Sequence, residues 1–347
     1  MSIPNRTFDR PALALGDSSI LVTGGTGSFG RALVKWLLTR TAVQRIVIFS
    51  RDEQKQDEMA RELKITSPSD FERLRFFIGD VRDVSRLELA MRAIDIVVHA
   101  AALKIIPTAE YNPFECILTN VHGAENVVKA ALRNNVKKVI ALSTDKAANP
   151  INLYGASKLA SDKIMVAANN LSGHLGTKFS VVRYGNVIGS RGSVVPLFEE
   201  LLKRGAKALP ITDPRMTRFW ITLEQGVAFV LSSLALMDGG EIFVPKIPSM
   251  RIMDLARTIA PNVPHEVVGI RAGEKLHEVM ITEDDARLTR EIDDRYVICP
   301  PQPNWSGAHL VALGAKKVDD NFRYSSENNP EWLDGAALNE LLSFKAT

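Results

Sequence analysis

Cysteine is nearly absent from this chain of 347 residues: Cys116 and Cys299 stand alone, far apart and without metal spacing. That excludes a disulfide framework or a cysteine zinc site as the organising device, and both thiols read as reduced. No charge of one sign dominates either. The 43 basic and 40 acidic residues leave a formal net charge of +3 spread along the chain, which points away from nucleic acid as the main partner. Local basic residues remain available to an anionic small substrate. No run of about 18 uninterrupted apolar residues occurs, so no membrane span is expected. The first sixteen residues carry Arg6, Asp9 and Arg10 and lack the apolar core of a secretion signal. Residues 1–16 therefore read as a loosely packed N-terminal extension, and the cytoplasmic compartment is the default. The six histidines show no ligand spacing, so no metal is expected. There is no internal repeat and no low-complexity tract.

What is present is an alternation. Short apolar runs at Ile20–Val22, Ile46–Phe49, Phe76–Ile78, Ile96–Val98, Val139–Leu142 and Phe179–Val182 are separated by stretches of helical length, among them Gly30–Leu38, Arg51–Leu63 and Thr119–Leu132. Near-continuous apolar strands between helices predict a parallel sheet covered on both faces, a doubly wound α/β Rossmann-like domain over residues 17–187. After Asn186 the rhythm changes, and Gly189, Gly192, Pro196, Pro210 and Pro214 cut the chain into short pieces. Residues 188–217 and 246–347 read as a smaller mixed substrate-binding lobe. Residues 218–245, with a helical stretch Thr222–Leu236, are expected to return to the first domain. Pro300–Pro303 marks a further break, and Leu338–Phe344 suggests a docked terminal helix.

The first strand runs into Thr23-Gly24-Gly25-Thr26-Gly27-Ser28-Phe29-Gly30. Gly24, Gly27 and Gly30 suit a tight turn, close approach to a pyrophosphate and close helix–strand packing, and the helix that follows offers backbone N–H groups to phosphates. About twenty residues on, where an acidic residue would select NAD, the chain has Ser50-Arg51-Asp52-Glu53 with Lys55 nearby. A hydroxyl and a guanidinium there favour NADP. The same residues also read as a helix start, with Ser50 capping and Asp52 and Glu53 in the first turn. Asp80, before Val81 at the third strand's end, is placed to accept from the adenine amino group. Ala100, Ala101 and Ala102 end the fourth strand, where small side chains let a cofactor ribose lie against backbone. Lys104 follows and can reach an anionic substrate.

The fifth strand ends in Ser143-Thr144-Asp145-Lys146, and Tyr154 and Lys158 follow at a spacing of four. That spacing puts phenol and ammonium on one helix face, where the cation can lower the phenol's pKa for acid–base work on a hydroxyl. An acid and an amine immediately upstream add two more proton-handling groups.

These residues resemble the extended short-chain dehydrogenase/reductase family over most of the chain. Thr144-Asp145-Lys146 stands where the family's sugar-nucleotide 4,6-dehydratases generally carry Thr-Asp-Glu, and the lysine is similar to the branch that acts on UDP-N-acetylglucosamine. The runs Ser143–Tyr154, Asp213–Trp220 and Gly273–Glu278 are similar to that branch's soluble, C5-inverting members. Membrane-anchored relatives typically have Met at the Tyr154 position and a large N-terminal membrane region, and this chain shows neither.

The resemblance implies an NADP-dependent hydro-lyase, a nucleotide-sugar dehydratase. Tyr154 acts as base while the C4 hydroxyl is oxidised, Lys158 contacts the nicotinamide ribose, and Thr144 hydrogen-bonds the 4-oxygen. Lys146 removes the C5 proton, Asp145 protonates the departing C6 hydroxyl, and hydride returns to C6. Reprotonation of C5 from the opposite face gives a UDP-2-acetamido-2,6-dideoxy-β-L-arabino-hex-4-ulose, the first step towards pseudaminic acid. A lysine base needs a depressed pKa, and the adjacent Asp145 pushes the other way. Lys104, Asn186, Val194, Arg218, Arg271 and Glu274 are implied to grip the UDP-sugar, the arginines through its pyrophosphate. His277 is expected in a helix at the domain interface and is given no role. The soluble members are usually homo-oligomers, often hexamers. A sugar-nucleotide 4-epimerase of the same fold is the alternative, although it has no use for Asp145 and Lys146. A non-catalytic nucleotide sensor would have lost Tyr154 or Lys158.

Overall fold

In a computed structural model of the protein, the described residues are 6–173, 176–190, 192–302 and 305–343, with side chains described through Leu341. Residues 1–5 of the expected extension, Pro303 and Phe344 lie outside them. Strand β1 (Ser19–Thr23) leads to helix α1 (Ser28–Arg40), β2 (Arg45–Ser50) to α2 (Glu53–Thr66), and β3 (Leu74–Ile78) to α3 (Val84–Ala90). From β4 (Ile96–His99) the chain passes through α4 (Ile106–Tyr111), α5 (Pro113–Ile117) and a π-turn at Leu118–His122 into α6 (Gly123–Arg133). Then come β5 (Lys138–Thr144), α7 (Leu153–Ala167) and β6 (Lys178–Tyr184). The strands form because their apolar runs are buried on both faces: Ile20, Leu21, Val22 and Ile46–Phe49 have no exposed surface. Helix α1 buries Gly30, Leu33, Val34, Leu37 and Leu38, the stripe that a period of 3.6 places on one side.

The second half continues with β7 (Asn186–Val187), α8 (Val194–Lys203), β8 (Leu209–Ile211), β9 (Thr217–Ile221), α9 (Leu223–Leu236) and β10 (Ile242–Pro245). It ends with β11 (Ser249–Arg251), α10 (Ile252–Ile259), β12 (His265–Val267), β13 (Val279–Ile281), β14 (Thr289–Glu291), β15 (Arg295–Ile298), β16 (Lys316–Lys317) and β17 (Tyr324–Ser325), before a terminal helix at Gly335–Ser343. The central sheet runs β3-β2-β1-β4-β5-β6-β10-β15-β14-β16. It is parallel through β10 and antiparallel beyond. Strand order reverses between β1 and β4, so a crevice opens at their carboxyl ends.

Strand β10 sits beside β6 in this sheet, and α9 packs on α1 behind it, held at its start by a Thr222–Gln225 capping box. Residues 289–317, expected in the smaller lobe, instead extend the central sheet by β14, β15 and β16. Antiparallel strands need only short connections, so no alternation of strands and helices marks them in the sequence. The smaller lobe keeps the sheet β11-β9-β7, the pair β8–β12 and its own core around Val195, Phe198, Trp220, Met250 and Leu255. A second short pair, β13–β17, lies against the turn that follows β5.

The expectation of a loose N-terminal extension fails from residue 6 onward. Phe8 and Leu15 are buried in the main core, and Phe8 meets Phe229 edge-on with centroids 5.2 Å apart. Arg6 forks onto Glu331 at 2.6 and 2.7 Å, while Arg295 Nη2 donates to the Arg10 carbonyl. A lone aromatic among polar residues gives no periodic signal, which is why the sequence reads as loose there. Truncating Phe8 to Ala is expected to lower unfolding free energy by about 3–5 kcal/mol in urea titration.

Candidate active site

The crevice at the switch point widens into a cleft of about 850 Å³ between the two lobes. Gly24 at the β1–α1 turn has φ +67, and a Cβ there would lie 2.9 Å from the Ala101 nitrogen. Only glycine gives that conformation with so close an approach to the β4 end. The Thr23 hydroxyl sits beneath, 2.7 Å from His99 Nδ1, and accepts from the Ala100 and Ala101 amides. Burial, helped by the charge of Lys158, lowers His99 to about 3, so it is neutral. Gly27 caps α1 without a side-chain bond, and the first turn carries no acidic residue. This wall, with Gly24, Thr26, Gly27, Ser28, Phe29 and Gly30 lining it, matches the chemistry of a dinucleotide pyrophosphate. Gly25 is buried behind it against Ile48, and does not line the cleft.

Ser50, Arg51, Asp52 and Lys55 reach the cleft at one end, and Val81, Ala100, Ala101 and Ala102 form its floor. The helix cap is Asp52, accepting from the Lys55 amide at 3.0 Å, while Ser50 is held by Gln56 Nε2. The capping role expected for Ser50 is thus taken two residues later, where α2 begins. Asp80 lies off the cleft wall. Its Oδ2 accepts from Arg82 at 2.7 and 3.0 Å, with Arg51 3.5 Å away, an arrangement that holds the carboxylate down against its burial. An adenine amino group would have to compete with Arg82 for it.

At the other end, β5 delivers Thr144 to the cleft and a single 3-10 turn follows at Asp145–Ala147. Helix α7 then starts against this turn, with Asn152 accepting from the Gly155 amide at 2.7 Å. A Cβ at Gly155 would overlap the Lys146 carbonyl, so glycine sets how closely α7 approaches the turn. Thr144 Oγ1 donates to Asp145 Oδ1 at 2.9 Å and accepts from the Lys146 amide at 3.3 Å. Lys146 Nζ donates to the same carboxylate oxygen at 3.0 Å. Asp145 is fully buried behind Lys146, with Oδ2 unpartnered, and does not itself reach the cleft wall.

Burial pushes the Tyr154 phenol up to about 12, with Asp145 and Asp162 adding to it, while Lys146 and a hydrogen bond with Thr144 pull it down. The sequence assigned that lowering to Lys158. In the fold the charge that lowers Tyr154 is that of Lys146, while the Lys158 charge lowers His99 and is itself favoured by Asp162 one turn further along α7. Burial pushes the Lys158 ammonium down. It pushes the Asp145 carboxyl up as well, against the attraction of Lys146. Lys146 is held above the ordinary lysine range because Asp145 and Glu278 together outweigh its burial.

Glu278 received no role from the sequence. Its side chain is 2% exposed, with Oε1 3.3 Å from Lys146 Nζ. Only its place at the end of the Gly273–Glu278 run marked it, and no local spacing relates it to Lys146. Lys104, Asn186, Val194, Arg218, Arg271 and Glu274 all line the cleft. Arg218, expected on a pyrophosphate, donates instead to the carbonyls of Thr217, Leu276 and Lys275, and its Nε lies 3.6 Å from Glu278. Arg271 is exposed with Glu274 3.9 Å away, so its fork remains open to the cleft. Burial and the charge of Lys146 lower the Lys104 ammonium. His277 lies in a bend, not a helix, with Nδ1 2.8 Å from the Thr217 hydroxyl and Nε2 3.3 Å from Glu327. Among the described residues no group of three or more potential ligands could hold a metal, and no helix is long and apolar enough to cross a membrane.

A glycine turn at a Rossmann switch point, facing a Tyr–Lys helix across one cleft, defines a nucleotide-binding protein of the extended short-chain dehydrogenase/reductase class. The chain belongs to the family described as polysaccharide biosynthesis protein, whose pattern matches residues 20–300. A curated relative from Campylobacter jejuni strain 81-176 is 57% identical over 330 residues, 94% of this chain and 97% of its own length. It is named UDP-N-acetylglucosamine 4,6-dehydratase (inverting). One from Rickettsia canadensis, named UDP-glucose 4-epimerase, is 40% identical over 319 residues, 90% of this chain and 92% of its own. The solved structure of Pen from Bacillus thuringiensis superposes with a TM-score of 0.86 at 34% identity, covering 96% of this chain and 99% of that one.

Gly155→Ala is expected to force α7 away from the Asp145–Ala147 turn. It should lower stability by about 1–3 kcal/mol, read in a denaturant titration, and open the Tyr154–Thr144 contact.

Proposed function

We propose that the chain is a UDP-N-acetylglucosamine 4,6-dehydratase that inverts C5, with NADP as its cofactor. The observation that carries this reading is the pair of buried Asp145 and part-buried Lys146, 3.0 Å apart, with Lys146, Tyr154 and Thr144 lining the head of the cleft. Oxidation and re-reduction at C4 need only Tyr154 and Lys158, whereas loss of water across C5 and C6 needs a base and an acid as well. When bound, a nicotinamide dinucleotide takes up the C4 hydride and returns it to C6. Arg51 and Lys55 at the far end of the cleft support NADP, because no carboxylate follows β2 directly and two cations suit a 2′-phosphate.

In this scheme Tyr154 accepts the O4 proton and Thr144 orients the 4-oxygen. Lys146 takes the C5 proton, made acidic by the C4 carbonyl, and Asp145, which lies behind Lys146, protonates the C6 hydroxyl once the bound sugar displaces that side chain, so that water leaves. Burial that raises Asp145 favours the protonated acid required for that step. Protons balance: O4 and C5 each give one, and the leaving hydroxyl and C5 each receive one. Lys104 and Arg271 are placed for the anionic part of the nucleotide sugar. The reading includes a homo-oligomer, in which Tyr111 and Phe114, 86% and 81% exposed on adjacent short helices, would be covered.

The alternative is a UDP-sugar 4-epimerase, favoured by the relative from Rickettsia canadensis that carries that name. Incubation with UDP-N-acetylglucosamine in D2O, followed by NMR, separates the two. The expected result is a 4-keto-6-deoxy product of L-arabino configuration with deuterium at C5; a C4 epimer without dehydration would replace this reading by the alternative. Lys146→Ala is expected to retain bound nicotinamide nucleotide, seen by absorbance, while dehydration falls by at least about 100-fold. Normal turnover in that variant would remove Lys146 from the base role.

A further inference from the structure

The reaction scheme leaves one buried carboxylate of the cleft unused. Glu278 comes from the second lobe, at the start of β13, and meets three cations: Lys146 at 3.3 Å, Arg218 at 3.6 Å and Lys275 at 3.9 Å. Its own segment is tied to the catalytic turn, because Lys275 Nζ donates to the Ala148 carbonyl and Asn152 Nδ2 to the Gly273 carbonyl. Lys146 Nζ therefore sits between two carboxylates from opposite lobes, Asp145 at 3.0 Å and Glu278.

A base at position 146 must shed a proton before it can take one from C5. Asp145 and Glu278 are the carboxylates within reach, and they are not equivalent. Glu278 has Arg218 and Lys275 to stabilise its charge, and these with Lys146 hold it ionised against its burial. Among the described residues Asp145 has Lys146 as its one ion-pair partner, and its Oδ2 is buried with none. On the dehydratase reading above, we propose that Glu278 is a positioning residue for Lys146: it stays ionised, fixes the amine between the lobes, and directs the proton that Lys146 sheds onto Asp145.

The step balances. An N–H bond of Lys146 breaks as an O–H bond forms on Asp145, which produces a neutral amine for C5 and a carboxylic acid for the C6 hydroxyl together. Removal of the C5 proton makes Lys146 an ammonium again, and departure of water leaves Asp145 a carboxylate. Elimination thus restores the resting ion pair with no other proton donor.

The groups facing this pair are Glu278, Arg218 and Lys275 from the second lobe, Lys104 from the loop after β4 and Tyr154 from α7. The working state carries one proton shared by Lys146 and Asp145. It is lost at low pH by gaining a second proton and at high pH by losing the first. Neutralising Glu278 weakens the binding of both protons, so both limbs of the kcat profile move towards lower pH.

Glu278→Gln is expected to shift both limbs down by about one unit or more, with kcat reduced about tenfold and KM little changed. Glu278→Asp keeps the charge and should leave both limbs in place. Titration of 13C-lysine-labelled protein by NMR reads the Lys146 signal without turnover, identified by its loss in Lys146→Ala, and the Gln variant should titrate at lower pH than wild type. Limbs unmoved in the Gln variant, limbs displaced in the Asp variant, or a Lys146 titration unchanged by Gln would each overturn the proposal. A shifted Lys146 titration together with a wild-type protein that does not dehydrate UDP-N-acetylglucosamine would overturn the dehydratase reading and leave the role of Glu278 standing.

Discussion

Lys146 is an ammonium largely withdrawn from water between carboxylates that belong to different parts of the chain, and its pairing ties the two lobes together. Charges taken from water cost several kcal/mol each unless they are closely paired. Asp145 and Glu278 supply that pairing, and Arg218 and Lys275 in turn offset Glu278. The 273–278 segment must then lie on the turn after β5, which it does through Asn152 and Ala148. The cleft is what remains between the two.

The same cluster accounts for chemistry that the rest of the scaffold does not specify. A glycine turn at the switch point suits a dinucleotide, and on the proposed reading the Tyr–Lys helix serves the hydride step. Relatives named as a dehydratase and as an epimerase are 57% and 40% identical to this chain. Beside these groups stands an acid–amine pair that is ionised at rest and in which burial raises the acid. Excluding water from such a pair brings the neutral amine and the protonated acid closer in energy to the ion pair. An epimerase gains nothing from that property.

Much of the fold was legible because it obeys local periods. Every apolar run from Ile20 to Val182 became a strand of the parallel sheet, and α1 and α9 formed where the spacing of apolar residues indicated. What escaped lacked a local signal. Residues 289–317 joined the sheet edge through antiparallel pairing, Phe8 docked as a single aromatic, and His277 lies in a bend fixed by partners at Thr217 and Glu327. In the site, the spacing of Tyr154 and Lys158 was visible, but the effect of the Lys146 charge on the phenol was not. That depended on how close Gly155 lets α7 come to the Lys146 carbonyl.

By itself the sequence determined the strand and helix rhythm, the glycine turn that opens α1, and the presence of an acid, an amine, a phenol and a second amine within sixteen residues. These are matters of composition and short-range spacing, which covalent order fixes directly. Only the tertiary structure decided the protonation of those groups. Glu278 reaches Lys146 from the far lobe, Arg218 donates from the cleft wall to the 275–276 carbonyls, and Asp80 is occupied by Arg82. The reason is physical: a charge's state depends on burial and on every neighbour within a few ångströms, and folding chooses those neighbours from anywhere along the chain.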